Sequence, residues 1–550
     1  MTLKIADINI KKLVGFIDWK LLVFLTLFLD VKLIVKVIAI VLVYLFQFDL
    51  KFGFRLKNSR LPLFYLLVIG IAVLNALLYK SYANIKYDAV FLTGIGFWLL
   101  CILSVHQVKL SVEKNNPGIL HNTILVFFAL NVICSLLTLT GIMAETHTLN
   151  PYRYQGQYQK YFIGTGDYIK GLTFDVSTTN AVINAFGVIY FLARKNAFMA
   201  LTCMGVMLLT GSNSVNLMLS GILLLLFIFN STRDQKSVIA ICFIFLGVFM
   251  TNVSPQNDDY IVKTYRKIIN KELPVKPVVI LNIAPVTQKP DSILSPEEKR
   301  QKTAILYLDS VSKALAPKTS GVKNTAVTSI VTPLKHEIPV PSIHTAPFQH
   351  KDDSTGLKVK LQGFVKAEKP YLVEAAQPTI PTRLPGKVIA MQQTIGYLKQ
   401  HPKKALTGDG MGNFSSKLAF KATGLGIAGG FPARYTYISS SFLTNHLDVY
   451  LTFFSKSEKF HSLINSPNSV YDQLLGEYGL LGLITFIIFY AGYFLRDPKK
   501  LTYGIPIFIL MAGVFLLDYW FEQLSVIVLF ELLLLVNIKE TAPKTLSHAK

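Results

Sequence analysis

Apolar sequence comes in long, separate runs along this 550-residue chain, and that spacing constrains the fold more than any other feature. The runs cover about 13–29, 31–48, 61–79, 88–105, 119–141, 179–193, 197–210, 213–229, 237–251, 469–494, 502–517 and 519–537. A helix crosses the hydrocarbon of a bilayer with about 20 residues. It also satisfies its own backbone hydrogen bonds, which a lipid-exposed segment must do. The runs therefore predict an all-α polytopic membrane protein of about 12 transmembrane helices. Only 16% of the residues are charged, against about 25% in soluble proteins. Asp18 and Lys20 interrupt the first run, which has no small-residue cleavage site after it and reads as a retained anchor. The runs at 197–210 and 213–229 are joined by LTGSNS and read as a tight pair.

The formal net charge of +23 is the kind of excess that accompanies nucleic-acid binding, but its placement points elsewhere. Lys51, Arg55, Lys57 and Arg60 share one loop; Lys109 and Lys114, Arg194 and Lys195, Arg233 and Lys236, and Arg496, Lys499 and Lys500 share others. These are alternate short loops, and positive short loops stay in the cytoplasm. Both termini are then cytoplasmic, and 142–178 and 252–466 form outward loops, the larger between helices 9 and 10. No nucleic-acid role follows. Cys101, Cys134, Cys203 and Cys242 all fall inside apolar runs, so neither a disulfide framework nor metal-ligand spacing is visible. No metal or cofactor is expected.

The chain divides accordingly. Residues 1–251 carry spans 1–9, and 252–272 begin the large loop. Residues 273–385 hold 14 of the 24 prolines with no sustained period, so this insert is expected to be largely disordered. Residues 386–466 are expected to fold. Val388, Met391, Ile395 and Leu398 form a helical stripe there, and His401-Pro402 ends it. Residues 467–538 carry spans 10–12, and 539–550 are a cytoplasmic tail.

Four stretches carry candidate chemistry. GDGMGNF (408–414) is glycine-rich, and backbone N–H groups of Gly410 and Gly412 suit a phosphate; a plain turn is the competing reading. The outward loop 142–178 is rich in Tyr (152, 154, 158, 161 and 168), which fits an interfacial belt or sugar stacking. It ends in YIKGLTFDVSTTNA, where Lys170 beside Gly171 is placed for a phosphate or for snorkelling. LTGSNSVNLMLSG (209–221) sets Asn213 among small and polar residues that also serve helix packing. SPNSVYDQLLGEYGLLGL (466–483) opens span 10 with Asn468, Tyr471, Asp472, Gln473 and Glu477. Ser466-Pro467 reads as a helix start, or Ser469 and Asp472 as a capping box. Glu477 lies about two turns in and needs a partner, since intramembrane carboxylates are expensive and tend to be functional.

Three of these pieces, in order, resemble the O-antigen ligase and polymerase superfamily: LTGSNS, then P-x-x-x-L-T-G-D-G-M-G-N-F (402–414), then NSVYDQLLGEYGLLGL (468–483). The resemblance covers the membrane frame and not 273–385. It implies a metal-independent inverting glycosyltransferase of a bacterial inner membrane with its large loop periplasmic. Such enzymes move a glycan from an undecaprenyl-diphosphate carrier to a glycan or lipid-linked acceptor. Cations would neutralise the diphosphate and a base would serve the acceptor hydroxyl. This chain has Asn468 where the family's closing motif opens with His, Asn213 where Arg is common, and Lys170-Gly171 where Arg-x-Gly is common. Arg434 in FPARYTY, His446, His461 and Glu477 are the candidates to compensate. Tyr471 lies on the face of Asn468. A non-catalytic relative that binds glycan-lipid is the second reading, and a transporter the third; the absence of an evident internal repeat weighs against the latter.

Overall fold

The computed structural model describes residues 15–47, 61–153, 168–254, 384–423, 430–453 and 463–542. The expected disordered insert, apart from Leu384 and Pro385, lies outside these residues, as do Tyr154, Tyr158, Tyr161 and His461. The helices belong to one compact unit. Every regular element among the described residues is helical.

Each expected apolar run is helical. They are α1 (Trp19–Phe28), α2 (Leu33–Gln47), α3 (Phe64–Leu78), α4 (Ile85–Lys114), α5 (Pro117–Thr146), α6 (Ser177–Ala193), α7 (Ala197–Leu209), α8 (Asn213–Phe229) and α9 (Arg233–Val248). Beyond the insert come α10 (Gly386–Gln400), α11 (Pro402–Thr407), α12 (Lys417–Ala422), α13 (Ser440–Asn445) and α14 (Leu447–Phe453). The chain then re-enters the bundle with α15 (Val470–Thr485), α16 (Gly504–Val514), α17 (Trp520–Gln523) and α18 (Ile527–Thr541). Among the described residues, four helical stretches are long and apolar enough to cross a membrane: 85–114, 117–146, 233–253 and 470–500. The protein is therefore membrane-associated. The other apolar helices are shorter.

Three boundaries differ from the sequence reading. The first helix starts at Trp19, not near 13, because Asp18 caps it: the carboxylate accepts from the Lys20 and Leu21 N–H groups, both at 3.1 Å. The last run breaks at Leu524, which adopts φ 67°. Span 10 begins at Val470, and Ser469 makes no side-chain cap; instead Ser466 accepts from Asn468 N–H at 3.2 Å. The stripe expected in α10 is also displaced. Val388 and Ile395 are each 41% exposed, while Ile389, Ala390, Thr394, Tyr397 and Leu398 are buried. Thr394 and Tyr397 sit on the inner face because each finds a polar partner there, at His446 and Asp409.

Hydrogen bonds sort the connections into two ends. At one end Val31 N–H donates to Thr173 O (2.8 Å), Tyr152 to Leu209 O, Asn150 to Val253 O (2.9 Å), Tyr79 to Lys403 O (3.1 Å) and Val470 N–H to Phe515 O (2.9 Å). At the other, Asn115 donates to Asp18 (2.6 Å), Lys539 to Val112 O (2.6 Å) and Gln235 to Leu192 O (3.1 Å), and Arg194 pairs with Glu540. The described connections thus fall into two groups, each held together by its own hydrogen bonds. Through the bundle's middle runs α18, buried at every position from Ile527 to Asn537; its apolar residues cover nearly every face, and its two buried polar residues, Glu531 and Asn537, bond to Tyr65 and Thr502.

One break positions the folded part of the loop. Gly479 interrupts α15 with φ 66° and ψ −161°, a conformation open in practice only to glycine. The break leaves the carbonyls of Gly476 and Glu477 without helical partners. Asp409 N–H and Gly410 N–H take them, at 2.9 and 3.1 Å. A Cβ on Gly479 would lie 2.5 Å from Gly408 N and Leu406 O. Gly479→Ala is expected to destabilise the protein by about 1–3 kcal/mol from backbone strain alone, read as an earlier thermal transition in detergent. Gly70→Ala, at a helical position with open space, should leave that transition unchanged or raise it.

Candidate functional site

The glycine-rich segment and the opening of α15 come together at the end of the bundle where 29–32, 168–176 and 515–525 meet. Gly410 has φ 99° and Gly412 φ 74°. Their amides point inward: Gly410 N–H bonds Glu477 O, and Phe414 N–H reaches the Glu477 carboxylate at 3.4 Å, with the Gly412 amide and Ser416 hydroxyl also facing it. The carboxyl group cradled by this loop is the chain's own Glu477, which is fully enclosed. The partner that Glu477 required is therefore the glycine-rich segment, and the two motifs form one unit.

A polar chain extends from this junction. Asp409 accepts from Tyr397 at 2.5 Å and pairs with Lys404. Burial alone would lower Lys404, but the Asp409 carboxylate outweighs it and carries the ammonium above the ordinary lysine range. On the next turn of α15, Asp472 Oδ2 lies 3.1 Å from His446 Nε2, and His446 Nδ1 lies 3.1 Å from Gln393 Oε1. Asp472 and His446 are both buried, and the Phe414 ring covers the imidazole at 4.6 Å. An Asp–His–Gln chain of this kind orients an imidazole, but enclosure keeps it from touching a large substrate.

Asn468 stands at the rim, half-buried. Its Nδ2 donates to Asp518 Oδ1 at 3.1 Å, and its carbonyl accepts from the Lys387 ammonium group. Lys387 also donates to Leu517 O at 3.2 Å. Tyr471 donates to Ala512 O at 2.8 Å and stacks edge-on with Phe486 and Phe515, so it fixes α15 to α16.

Cations line the same end. Lys36 is buried within α2 and donates to Phe28 O (2.7 Å) and Ser525 (3.0 Å); Asp175, Asp30 and Lys417 are its charged neighbours. Lys421 sits beside Lys417, Glu522, Asp175 and Asp518; burial and the Lys417 charge push it down to about 8. Glu522 binds Leu418 N–H (2.9 Å) and Gln473 (2.5 Å), joining α12 to α15. Lys170 caps the short turn Gly171–Thr173, which Val31 holds at this end. Gly171 needs φ +60°, and a Cβ there would meet the Asn131 and Asn180 amides at 2.3 and 2.6 Å. Those amides bind Leu172 N–H and Ile169 O, both at 3.0 Å, and so hold the turn.

Other expected residues fall differently. Asn213 begins α8, at the end that Tyr152 marks through Leu209. Arg434 is exposed, its guanidinium 4.5 Å from the Tyr435 ring centre. Lys36, Lys417, Lys421 and Lys387 were not singled out from sequence. A lone lysine inside the apolar run of α2 is a signal for the first; the i, i+4 spacing of Lys417 and Lys421 is a weak one. Among the described residues no cluster suits a metal ion. No protein-family model, curated protein or solved structure matches the chain.

The buried pair yields a test. His446→Leu strands the Asp472 carboxylate and is expected to cost about 3–5 kcal/mol. Adding Asp472→Leu should recover part of that loss, giving a less-than-additive cycle in thermal unfolding in detergent.

Proposed function

We propose that this protein is a membrane glycosyltransferase of the O-antigen ligase and polymerase type, moving or extending a glycan carried on undecaprenyl diphosphate. The observation that carries the reading is the gathering of Lys170, Lys417 and Lys421 at the end of an apolar bundle where the glycine-rich segment meets α15, with the enclosed Lys36 near Lys417. A lipid diphosphate needs an apolar surface for its tail and cations for its head group. Both are within reach at that end. In this reading the remaining apolar helices also cross the membrane, for about twelve crossings. The end with Arg194, Lys109, Arg496 and Lys500 faces the cytoplasm, as positive loops do, and the lysine-lined end faces the periplasm of a bacterial inner membrane.

The chemistry is displacement at the anomeric carbon. An acceptor hydroxyl attacks and the carrier diphosphate leaves. The protein's work is to neutralise the leaving group and align the attacking oxygen. Lysines act as point charges on phosphate oxygens, and the loop that seats α15 gives the rim a fixed shape. A second reading, carrier binding without transfer, is favoured by Asn468, whose amide is committed to Asp518.

The deciding experiment offers purified protein a radiolabelled undecaprenyl-diphosphate glycan and an acceptor glycan. Transfer with release of carrier diphosphate supports the enzyme; tight binding with no transfer supports the second reading. Lys417→Ala and Lys421→Ala should each weaken carrier binding by about 10- to 150-fold, since hydrogen bonds to charged groups are worth about 1.5–3 kcal/mol. Because Lys421 loses its proton as pH rises through about 8, carrier affinity should fall above that pH and hold steady below it, measured by equilibrium binding across pH 6–9.5.

A further inference from the structure

Lys387 has no role in the reading above, and its setting is unusual. It lies on the first turn of α10, distant in sequence from Asn468, yet its amine is held between two main-chain carbonyls, Asn468 O and Leu517 O. Three half-buried side chains, Lys387, Asn468 and Asp518, meet there. The Asn468 Oδ1 atom and the inner Asp472 Oδ1 atom accept no hydrogen bond among the described residues. The place is thus polar, partly open and incompletely satisfied, at the rim where an acceptor hydroxyl must arrive.

A neutral amine has two N–H bonds and one lone pair. Two carbonyls take the two N–H bonds, which leaves the lone pair directed away from both. An ammonium in the same position has a third N–H to place. The geometry therefore suits a group that cycles between the two forms.

Resting on the glycosyltransferase reading, we infer that Lys387 is the proton acceptor for the incoming hydroxyl, filling from α10 the role that the amide of Asn468 cannot perform. The hydroxyl proton passes to the Lys387 nitrogen. The O–H electron pair becomes the new bond to the anomeric carbon. The bond from that carbon to the carrier oxygen breaks, and its electron pair stays on the departing diphosphate. The ammonium then returns its proton to water.

The electrostatics are in keeping. Burial pushes Lys387 down to about 7, while Asp518 and then Asp472 oppose it. Those two carboxylates, from the segment before α17 and from α15, are the charged groups that face it; His446 reaches it only through Asp472. A base is useful when its lone pair is free near the working pH.

The test has two arms. Competitive labelling of the wild-type protein with acetic anhydride, followed by peptide mass spectrometry, reads the Lys387 amine without any glycan. Labelling that rises through about pH 7 is expected; an amine that labels only in the ordinary lysine range overturns the proposal. In the transfer assay, Lys387→Met keeps the apolar stem and should lower turnover about 10²–10⁴-fold with carrier binding retained. The rise of turnover through about pH 7 should vanish with it. Lys387→Arg should be as slow, since guanidinium keeps its proton. Asn468→His in the Lys387→Met background should restore part of the rate, because an imidazole there lies beside Asp518. Transfer by the wild type that Lys387→Met leaves intact overturns this proposal and spares the glycosyltransferase reading. A wild type that binds carrier and never transfers overturns both.

Discussion

The structure depends on a helix that stops making its own hydrogen bonds. At Gly479 the ladder of α15 fails, and two carbonyls in the bundle's interior lose their partners. An unpaired buried carbonyl is costly, so some other backbone must supply N–H groups. The segment at 408–410 supplies them, and it can approach because Gly408 and Gly479 present no side chains to each other. Everything the outer loop contributes is placed by that docking. Tyr397, Asp409 and Lys404 follow from α10 and α11, Phe414 covers His446, and Ser416 begins the helix that carries Lys417 and Lys421.

Docking of this kind turns a carboxylate inside a membrane-length helix into a structural anchor. Glu477 has loop amides in front of it and no route outward. Its burial is the reason the glycine-rich segment cannot present those amides to a ligand at the same time. The polar groups that stay partly open lie at the rim instead, at Asn468, Asp518 and Lys387.

Much of this frame was legible in sequence. Apolar runs separated by charged loops give helices and their alternation, because length and period are set by the bilayer and the backbone. The two-ended sorting of loops followed from the same regularity. The resemblance gave only the order of GDGMGNF and the opening of α15; their meeting was not read, since nothing local links residues so far apart. What could not be read was partnership. Thr394 and Tyr397 look like surface residues until His446 and Asp409 are found across from them. Asp18 looks like an interruption until it caps a helix. Lys387 looks like a solvated lysine at a helix start, and only the fold carries it to the carbonyl of Asn468. Leu524 gave no warning of its left-handed turn, because leucine has no preference for one.

The position of α18 in the bundle has a consequence for how the protein is made. Its apolar surface is surrounded by helices that precede it in the chain, among them α4, α6 and α16. During synthesis those helices are made first, with a gap where α18 will lie. The polar groups that α18 later satisfies, Tyr65 through Glu531 and Arg194 through Glu540, wait with it. Closure of the bundle, in its interior and at the Arg194 end, therefore waits for the last helix of the chain.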